Sequence, residues 1–222
     1  MWSSSVDFAQ LMLEQSHADP LDSFLNSSIL KTQHVVELGF ACAECIFYAL
    51  NIDLPPSSLS AGTGLLAIAL SPLVQRYTVT DIQDLLPLLR KNMLLNFNSW
   101  PNCSPSTPGS NVFVEDLDWV LLHSTNAAHR ARVFNSESID LLLIVDCIYH
   151  PSLLPALVDT IHYLAIPNQT IVLVVVELRA DDVIREFLQL WLEKPDWEVW
   201  RVGGGMLPKP YAMWLGSRRQ DS

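Results

Sequence analysis

An acidic and a phenolic side chain come directly after a strongly apolar segment of the chain. The segment 139–145 (IDLLLIV) is followed by Asp146, and Tyr149 stands three residues further on. An aspartate in this place costs free energy unless a partner satisfies its charge. Because carboxylate and phenol groups hold and transfer protons in active sites, this pair is the strongest candidate for chemistry in the sequence.

A second set of residues has the types that hold a cofactor. Glu37 and Gly39 (ELG) end another apolar segment, and Gly62 and Gly64 (AGTG) open a segment with helical spacing. Glycines there let a ligand approach the N–H groups of a helix N-terminus, although Gly-x-Gly alone also occurs in ordinary turns. Asp81 follows the next strand-like segment, where a carboxylate can accept both hydroxyls of a ribose or can cap the following helix.

The remaining candidates carry weaker signals. Trp119 ends the segment DLDW after a third strand-like segment, where an indole can stack on a purine or fill the core. Cys42 and Cys45 form Cys-x-x-Cys, yet the chain's two other cysteines have no spacing that completes a metal site. The six histidines are scattered, so we predict no metal site.

Strands and helices alternate along the chain, and this order must position the candidate residues. Strands are predicted over His34–Leu38, Arg76–Thr80, Asn111–Glu115, Ile139–Val145, Thr170–Glu177, Trp197–Val202 and Tyr211–Leu215, with a turn at Gly203–Gly205. Helices are predicted over Val6–Leu13, Gly62–Leu70, Gln83–Asn96, Ser152–Leu164 and Asp181–Leu192. The order predicts an α/β fold: a Rossmann-like, mostly parallel sheet of seven strands with helices on both faces and an antiparallel C-terminal hairpin. A ligand should lie beyond the carboxyl ends of the strands.

Composition excludes several classes of protein. The chain has 222 residues, of which 50% are hydrophobic, and 13 Lys+Arg stand against 24 Asp+Glu, giving a net charge of −11. The apolar content is too high for a disordered chain, and the charge disfavours direct nucleic-acid binding. No apolar run reaches the roughly 20 residues that a membrane helix needs. We therefore expect a monomeric single domain over 1–222, located in the cytoplasm, with the nucleus as an alternative.

Six segments together resemble a known family. In chain order they are VVELG, AGTG, RYTVTDIQDLLPLLRKNMLLN, VEDLDW, DLLLIVDCIYHPSLL and VVVELR. They resemble the seven-β-strand S-adenosylmethionine-dependent methyltransferases, and within these the family 16 protein-lysine methyltransferases, whose mark is Asp-x-x-Tyr after the fourth strand. The segment VVVELRADDVIREFLQLWLEKPDWEVWRVGGG is most similar to the fungal branch that acts on ribosomal proteins or translation elongation factors.

The resemblance implies S-adenosyl-L-methionine as cofactor. It implies a methionine-side loop at Glu37, Gly39, Gly62 and Gly64, a ribose contact from Asp81 and an adenine neighbour in Trp119. The same resemblance places Val145 and Asp146 at the methyl end, and Trp2 over the cofactor. It further implies that Asp146 and Tyr149 accept hydrogen bonds from a substrate lysine and aim its lone pair.

One segment departs from the family pattern. Relatives read ELGAGTG without interruption, whereas 21 residues, 40–60 (FACAECIFYALNIDLPPSSLS), stand here between ELG and AGTG. A loop that folds glycines tightly under a cofactor should not accept such an insertion easily. We interpret 40–60 as a non-native insertion, translated from a retained intron whose length is a multiple of three nucleotides.

The sequence therefore predicts a protein-lysine N-methyltransferase that acts on a translation-related protein with an exposed lysine. Two alternatives remain open. One is a methyltransferase-like binding protein that the insertion has made inactive, and the other is a small-molecule N-methyltransferase. The net charge of −11 favours a basic protein substrate, because opposite charges attract over short range.

Overall fold

The fold is a single sheet with helices on both faces, seen in a computed structural model that describes residues 3–17, 27–39, 64–134, 138–203, 207 and 211–219. The strands are β1 (His34–Leu38), β2 (Arg76–Asp81), β3 (Val112–Asp116), β4 (Leu141–Val145), β5 (Ile171–Glu177), β6 (Trp197–Arg201) and β7 (Tyr211–Arg218). The helices are α1 (Ser3–His17), α2 (Ser27–Leu30), α3 (Leu65–Leu70), α4 (Leu86–Asn96), α5 (Trp119–Ser124), α6 (Ala127–Val133), α7 (Leu154–Leu164) and α8 (Asp181–Leu192).

The seven strands lie in the order β3-β2-β1-β4-β5-β7-β6. The strands from β3 to β5 are parallel, and β7 runs antiparallel to both β5 and β6. The chain order reverses between the neighbouring strands β1 and β4, which makes this gap the topological switch point. The predicted Rossmann-like fold with an antiparallel C-terminal hairpin is confirmed.

Alternate residues of the central strands enter two separate cores. Val36 and Leu142 belong to the core beneath α5, α7 and α8, whereas Val35 and Leu143 belong to the core beneath α1, α3 and α4. Every residue of β4 is buried. This explains why β4 reads as a continuous apolar run, since a parallel strand with helices on both faces has no solvent side.

Some predicted element boundaries need correction. The helix predicted over Gln83–Asn96 begins only at Leu86, and the one predicted over Ser152–Leu164 begins at Leu154 after a 3₁₀ turn over Pro151–Leu153. Each helix has a proline in its first turn, where the missing N–H costs nothing. β7 continues to Arg218, three residues beyond the predicted end.

Three short helices, α2, α5 and α6, were not predicted. The carboxylate of Asp118 caps α5, accepting hydrogen bonds from the N–H groups of Val120 at 2.8 Å and Leu121 at 3.0 Å. Aspartate before an apolar run is a typical N-cap signal, so the sequence held this information. Of the predicted glycine turn, Gly203 is described, and Gly204 and Gly205 lie outside the described residues.

Within the described part of the chain, no helix has the length and apolar character needed to cross a membrane.

Candidate active site

The carboxyl ends of β1, β2, β4 and β5 meet on either side of the switch point. β1 is followed by Gly39, β2 ends at Asp81, β4 is followed by Asp146, and β5 ends at Glu177. The S–H of Cys147 donates to the Leu38 carbonyl oxygen at 3.3 Å and so joins the ends of β1 and β4. The fold thus gathers candidate residues that are far apart in the sequence.

Asp146 is held from several directions. Its backbone has φ of 57°, a left-handed conformation that aspartate and asparagine tolerate better than most residues. The Ser4 hydroxyl of α1 donates to Oδ2 at 3.0 Å, and the Glu177 N–H approaches Oδ1 at 3.4 Å. The Arg179 guanidinium lies 3.5 Å from Oδ2. The carboxylate is therefore fixed in one orientation at the end of β4.

Burial and neighbouring charges act in opposite directions on this carboxyl. Burial raises the pKa of Asp146 above its ordinary value, whereas the Arg179 charge and the Ser4 hydrogen bond lower it. The negative charge of Glu177 adds a smaller upward effect on the same pKa. A carboxyl of this kind holds a hydrogen-bond donor strongly, because little water competes for it.

Tyr149 lies three residues beyond Asp146, as the motif requires. Its ring is partly buried and packs against the core beneath α5, α7 and α8. The 3₁₀ turn that begins at Pro151 follows it closely and fixes the local chain direction. The role of Tyr149 toward a substrate stays a prediction.

Gly39 and Asp81 form a close contact between the ends of β1 and β2. A Cβ atom at Gly39 would stand 2.1 Å from the Thr80 carbonyl oxygen and 2.6 Å from Oδ2 of Asp81. Asp81 is only 1% exposed. It is the last residue of β2, while Leu85 occupies the N-cap position of α4, so the alternative that Asp81 caps this helix is wrong.

Replacement of Gly39 by alanine should destabilise the fold and displace Asp81. We expect Gly39→Ala to lower the free energy of unfolding by about 2–3 kcal/mol, because the methyl group has no room. Urea unfolding measures this effect. Gly203→Ala is the matched control, since no atom of the described residues lies within 4 Å of the added Cβ, and it should change stability by less than about 0.5 kcal/mol. Equal effects of both substitutions would contradict the close packing at Gly39.

Glu37 is buried within the sheet on the face covered by α1, α3 and α4. The Tyr77 hydroxyl donates to Oε2 of Glu37 at 2.8 Å. Burial raises the pKa of Glu37 to about 8, which the Tyr77 hydrogen bond partly offsets and the Asp81 charge reinforces. Glu37 therefore carries a proton at neutral pH, and it lies in β1 two residues before Gly39.

This proton makes stability depend on pH. On unfolding, Glu37 returns to its ordinary pKa of 4.5. Between pH 4.5 and about 8, unfolding therefore releases the Glu37 proton. The contribution of Glu37 to the free energy of unfolding is complete below pH 4.5 and falls by about 1.4 kcal/mol per pH unit as the pH rises toward 8. Glu37→Gln keeps the acceptor for Tyr77 and removes this slope. Urea unfolding at several pH values should show the two proteins diverging, and parallel curves would refute the buried proton.

The structure places the other predicted residues as follows. Trp119 is fully buried in the core beneath α5 and α7, and Val145 is buried at the end of β4. Gly64 is described and has φ of 66°, a conformation that favours glycine. Trp2 and Gly62 lie outside the described residues. For all of these, contact with a cofactor stays a prediction.

Comparison with known proteins identifies the family. A family model for lysine methyltransferases matches residues 58–193, more than half of the chain. The chain belongs to the lysine methyltransferase family. This result confirms the family that the sequence motifs predict, and it places the end of β4 with Asp146 and Tyr149 inside the matched region.

Two fungal relatives match the chain over most of its length. A Schizosaccharomyces pombe protein named diaminohydroxyphosphoribosylamino-pyrimidine deaminase is 28% identical over 191 residues, covering 85% of this chain and 36% of the relative. The Candida glabrata ribosomal lysine N-methyltransferase 5 is 23% identical over 223 residues, covering 85% of this chain and 62% of the relative. The chain thus spans 36% of the length of the first relative and 62% of the length of the second.

Solved structures share the fold. An O-methyltransferase from Bacillus cereus in complex with SAH superposes with a TM-score of 0.54 at 15% identity, covering 99% of this chain and 82% of that one. The O-methyltransferase TomG from Streptomyces achromogenes in complex with SAM has a TM-score of 0.50 at 11% identity, covering 98% and 90%. Family and fold together support S-adenosyl-L-methionine as the cofactor of this methyltransferase.

The described residues fit that cofactor. The tight contact between Gly39 and Asp81 leaves backbone, rather than side chain, at the end of β1, and Gly64 carries positive φ at the start of α3. Both features suit a loop that brings backbone N–H groups to a ligand. Among the described residues, no group of three or more His, Cys, Asp or Glu side chains could hold a metal ion.

Sequence reasoning missed two residues of the site, Ser4 and Arg179. Ser4 lies 142 residues from Asp146 and reaches it only because α1 packs against the carboxyl end of the sheet. The Tyr211 hydroxyl of β7 donates to Asp7 at 3.0 Å and fixes α1 there. Arg179 stands two residues beyond β5, and its charge after an apolar strand was a signal that could have drawn attention.

Proposed function

We propose that this methyltransferase transfers a methyl group from S-adenosyl-L-methionine to the side-chain nitrogen of a lysine in a translation-related protein, a ribosomal protein or an elongation factor. The observation that carries the proposal is the position of Asp146 and its contacts. It follows β4, a strand that borders the switch point, and it is fixed by Ser4 and the Glu177 N–H in a chain of the lysine methyltransferase family.

Asp146 orients the substrate amine. A free lysine has a pKa of about 10.4 and must lose a proton before its lone pair can attack. The Asp146 carboxylate accepts a hydrogen bond from the neutral amine, Tyr149 accepts a second one, and the lone pair then points at the methyl group. When bound, the cofactor would supply the methyl group on a sulfonium, whose S–C bond would break as the N–C bond forms. The proton that the lysine ammonium group must lose before the attack goes to water.

We propose the lining of the cofactor pocket from the resemblance of the sequence to the family. Gly39, Gly64 and Glu37 shape or support the methionine-side loop, while Asp81 accepts hydrogen bonds from the ribose. Trp119 lies toward the adenine and Val145 toward the methyl end, with Gly62 and Trp2 completing the set. The buried position of Asp81 supports this assignment, because a buried carboxylate binds hydroxyl donors strongly.

The substrate class is supported by charge and by one relative. The net charge of −11 suits a basic protein such as a ribosomal protein. The Candida glabrata relative is named as a ribosomal lysine N-methyltransferase. We infer that this chain works as a monomer in the cytoplasm, with the nucleus as the alternative.

The insertion 40–60 favours a second function. If it belongs to the native protein, it interrupts the cofactor loop, and the chain becomes a methyltransferase-like binding protein without activity. The match to the family model begins only at residue 58, near the end of this segment. Binding of labelled cofactor, with and without the segment, distinguishes the two functions.

The substrate proposal is tested in extracts of cells that lack this protein. Purified chain and methyl-labelled S-adenosyl-L-methionine are added to a ribosome-bound and a ribosome-free fraction, and labelled proteins are separated by mass. We expect one labelled protein, identified by mass spectrometry as a ribosomal protein or an elongation factor. Label in proteins unrelated to translation would remove that substrate class, and label only in small molecules would favour a small-molecule N-methyltransferase.

A further inference from the structure

One guanidinium stands in front of the Asp146 carboxylate. Nη2 of Arg179 lies 3.5 Å from Oδ2 of Asp146 and also contacts Oε2 of Glu177. The Arg179 side chain is 51% exposed, whereas that of Asp146 is 6% exposed. The arginine therefore lies on the solvent side of the buried carboxylate.

The other contacts of this carboxylate come from the protein interior. Ser4, which donates to Oδ2, is fully buried, and the Glu177 N–H approaches Oδ1 from the neighbouring strand β5. Among the contacts of the described residues, the side facing solvent is the side that Arg179 covers. An amine that arrives from solvent on this side meets the exposed Arg179 before it reaches Asp146.

We propose that Arg179 occupies the position of the substrate amine and acts as a gate that a lysine must displace from Asp146. This inference rests on the proposed function and names the residue that controls access to its amine site. The ion pairs that Arg179 makes with the described residues Asp146 and Glu177 are unequal. Its contact with Asp146, at 3.5 Å, exceeds the roughly 2.7–2.9 Å of a charged hydrogen bond, and its contact with Glu177 is shorter. Arg179 can leave Asp146 while it stays bound to Glu177.

The same cation selects the protonation state of the incoming group. With Arg179 held by Glu177 beside the site, an ammonium ion is repelled, since like charges disfavour the charged form. A neutral amine is not repelled, and it alone carries the lone pair that forms the N–C bond. Arg179 is thus a specificity residue that rejects ammonium ions in front of Asp146 and admits the neutral nucleophile.

A small cation tests the gate without any methyl transfer. The probe is n-butylammonium chloride, which matches the lysine side chain, and its binding to the full chain is measured by saturation-transfer NMR at about pH 8.5, where the amine is charged. We expect Arg179→Ala to bind the probe about tenfold more tightly than the wild type, because the competing internal cation is gone. Arg179→Lys, which keeps a cation, should bind as the wild type does. Equal or weaker binding by Arg179→Ala would overturn the proposal.

Two controls place the effect at Asp146. The double variant Arg179→Ala with Asp146→Asn should lose the gain, and neutral n-butanol should bind all variants equally. Arg179 is half exposed, so its variants should fold, and Arg179→Met, which keeps the apolar stem, repeats the test if the alanine variant unfolds. A protein that methylates no lysine can still show the expected binding, so failure of the gate and failure of the proposed function are separate results.

Discussion

Asp146→Asn is expected to reduce the rate of methyl transfer by about 10³-fold while the affinity for S-adenosyl-L-methionine stays within about threefold of the wild type. The substitution keeps the size of the side chain but replaces an acceptor oxygen with an amide that donates. The amine then loses the group that aims its lone pair, whereas the proposed ribose and loop contacts are unchanged. Steady-state methylation and cofactor binding by calorimetry measure the two quantities separately.

Asparagine is a better test substitution than alanine at position 146 because of the backbone conformation there. With φ of 57°, Asp146 adopts a conformation that asparagine tolerates and alanine tolerates poorly. Asp146→Ala should therefore also lose stability, which would confuse the kinetic result. Asp182→Asn, in the exposed first turn of α8, removes an equal charge that makes no described contact with Asp146, and it should keep full activity. Unchanged turnover in Asp146→Asn would refute the role given to this carboxylate.

Deletion of residues 40–60 is expected to raise the affinity for S-adenosyl-L-methionine by about 30- to 160-fold. The deletion restores ELGAGTG, in which backbone N–H groups of a tight glycine turn can face the cofactor. Two regained hydrogen bonds at about 1–1.5 kcal/mol each account for a factor of this size. Calorimetric titration of both forms with S-adenosyl-L-methionine measures it.

A matched variant separates the loop from general stabilisation. In the shortened chain, Gly64→Val should remove the gain, because a Cβ at Gly64 would stand 2.3 Å from Cε of Met93 and its φ of 66° disfavours a branched residue. Sequencing of the transcript tests the origin of the segment. A messenger RNA that always retains the codons for 40–60, together with equal cofactor affinity of both forms, would contradict the retained intron.

The fold was predictable because its strands are bounded by clear signals. His34–Leu38 (HVVEL) is a short strand-like segment that ends at Gly39, and both limits of β1 are confirmed. The strand over Ile139–Val145 was predicted two residues too long at its start, since periodicity does not mark where pairing with a neighbour begins. α5 and α6 were missed because helices of six and seven residues show too little periodicity.

The site was predictable only where its residues are close in the sequence. Asp146 and Tyr149 form one motif after one strand, so their position followed from the pattern. Ser4 and Arg179 reach Asp146 through the packing of α1 and the alignment of β5 beside β4, and neither contact is a property of any short segment. Proximity of this kind depends on strand order, which a single sequence does not display.

In the proposed reaction, the methyl group is transferred to a lysine nitrogen. The shortened and full-length chains are incubated with methyl-labelled S-adenosyl-L-methionine and an extract from cells that lack the protein, and the labelled protein is hydrolysed to amino acids. We predict that the label elutes as N-methyl-lysine in the shortened form and disappears in its Asp146→Asn variant. Label on another amino acid, or label confined to small molecules, would contradict a protein-lysine methyltransferase.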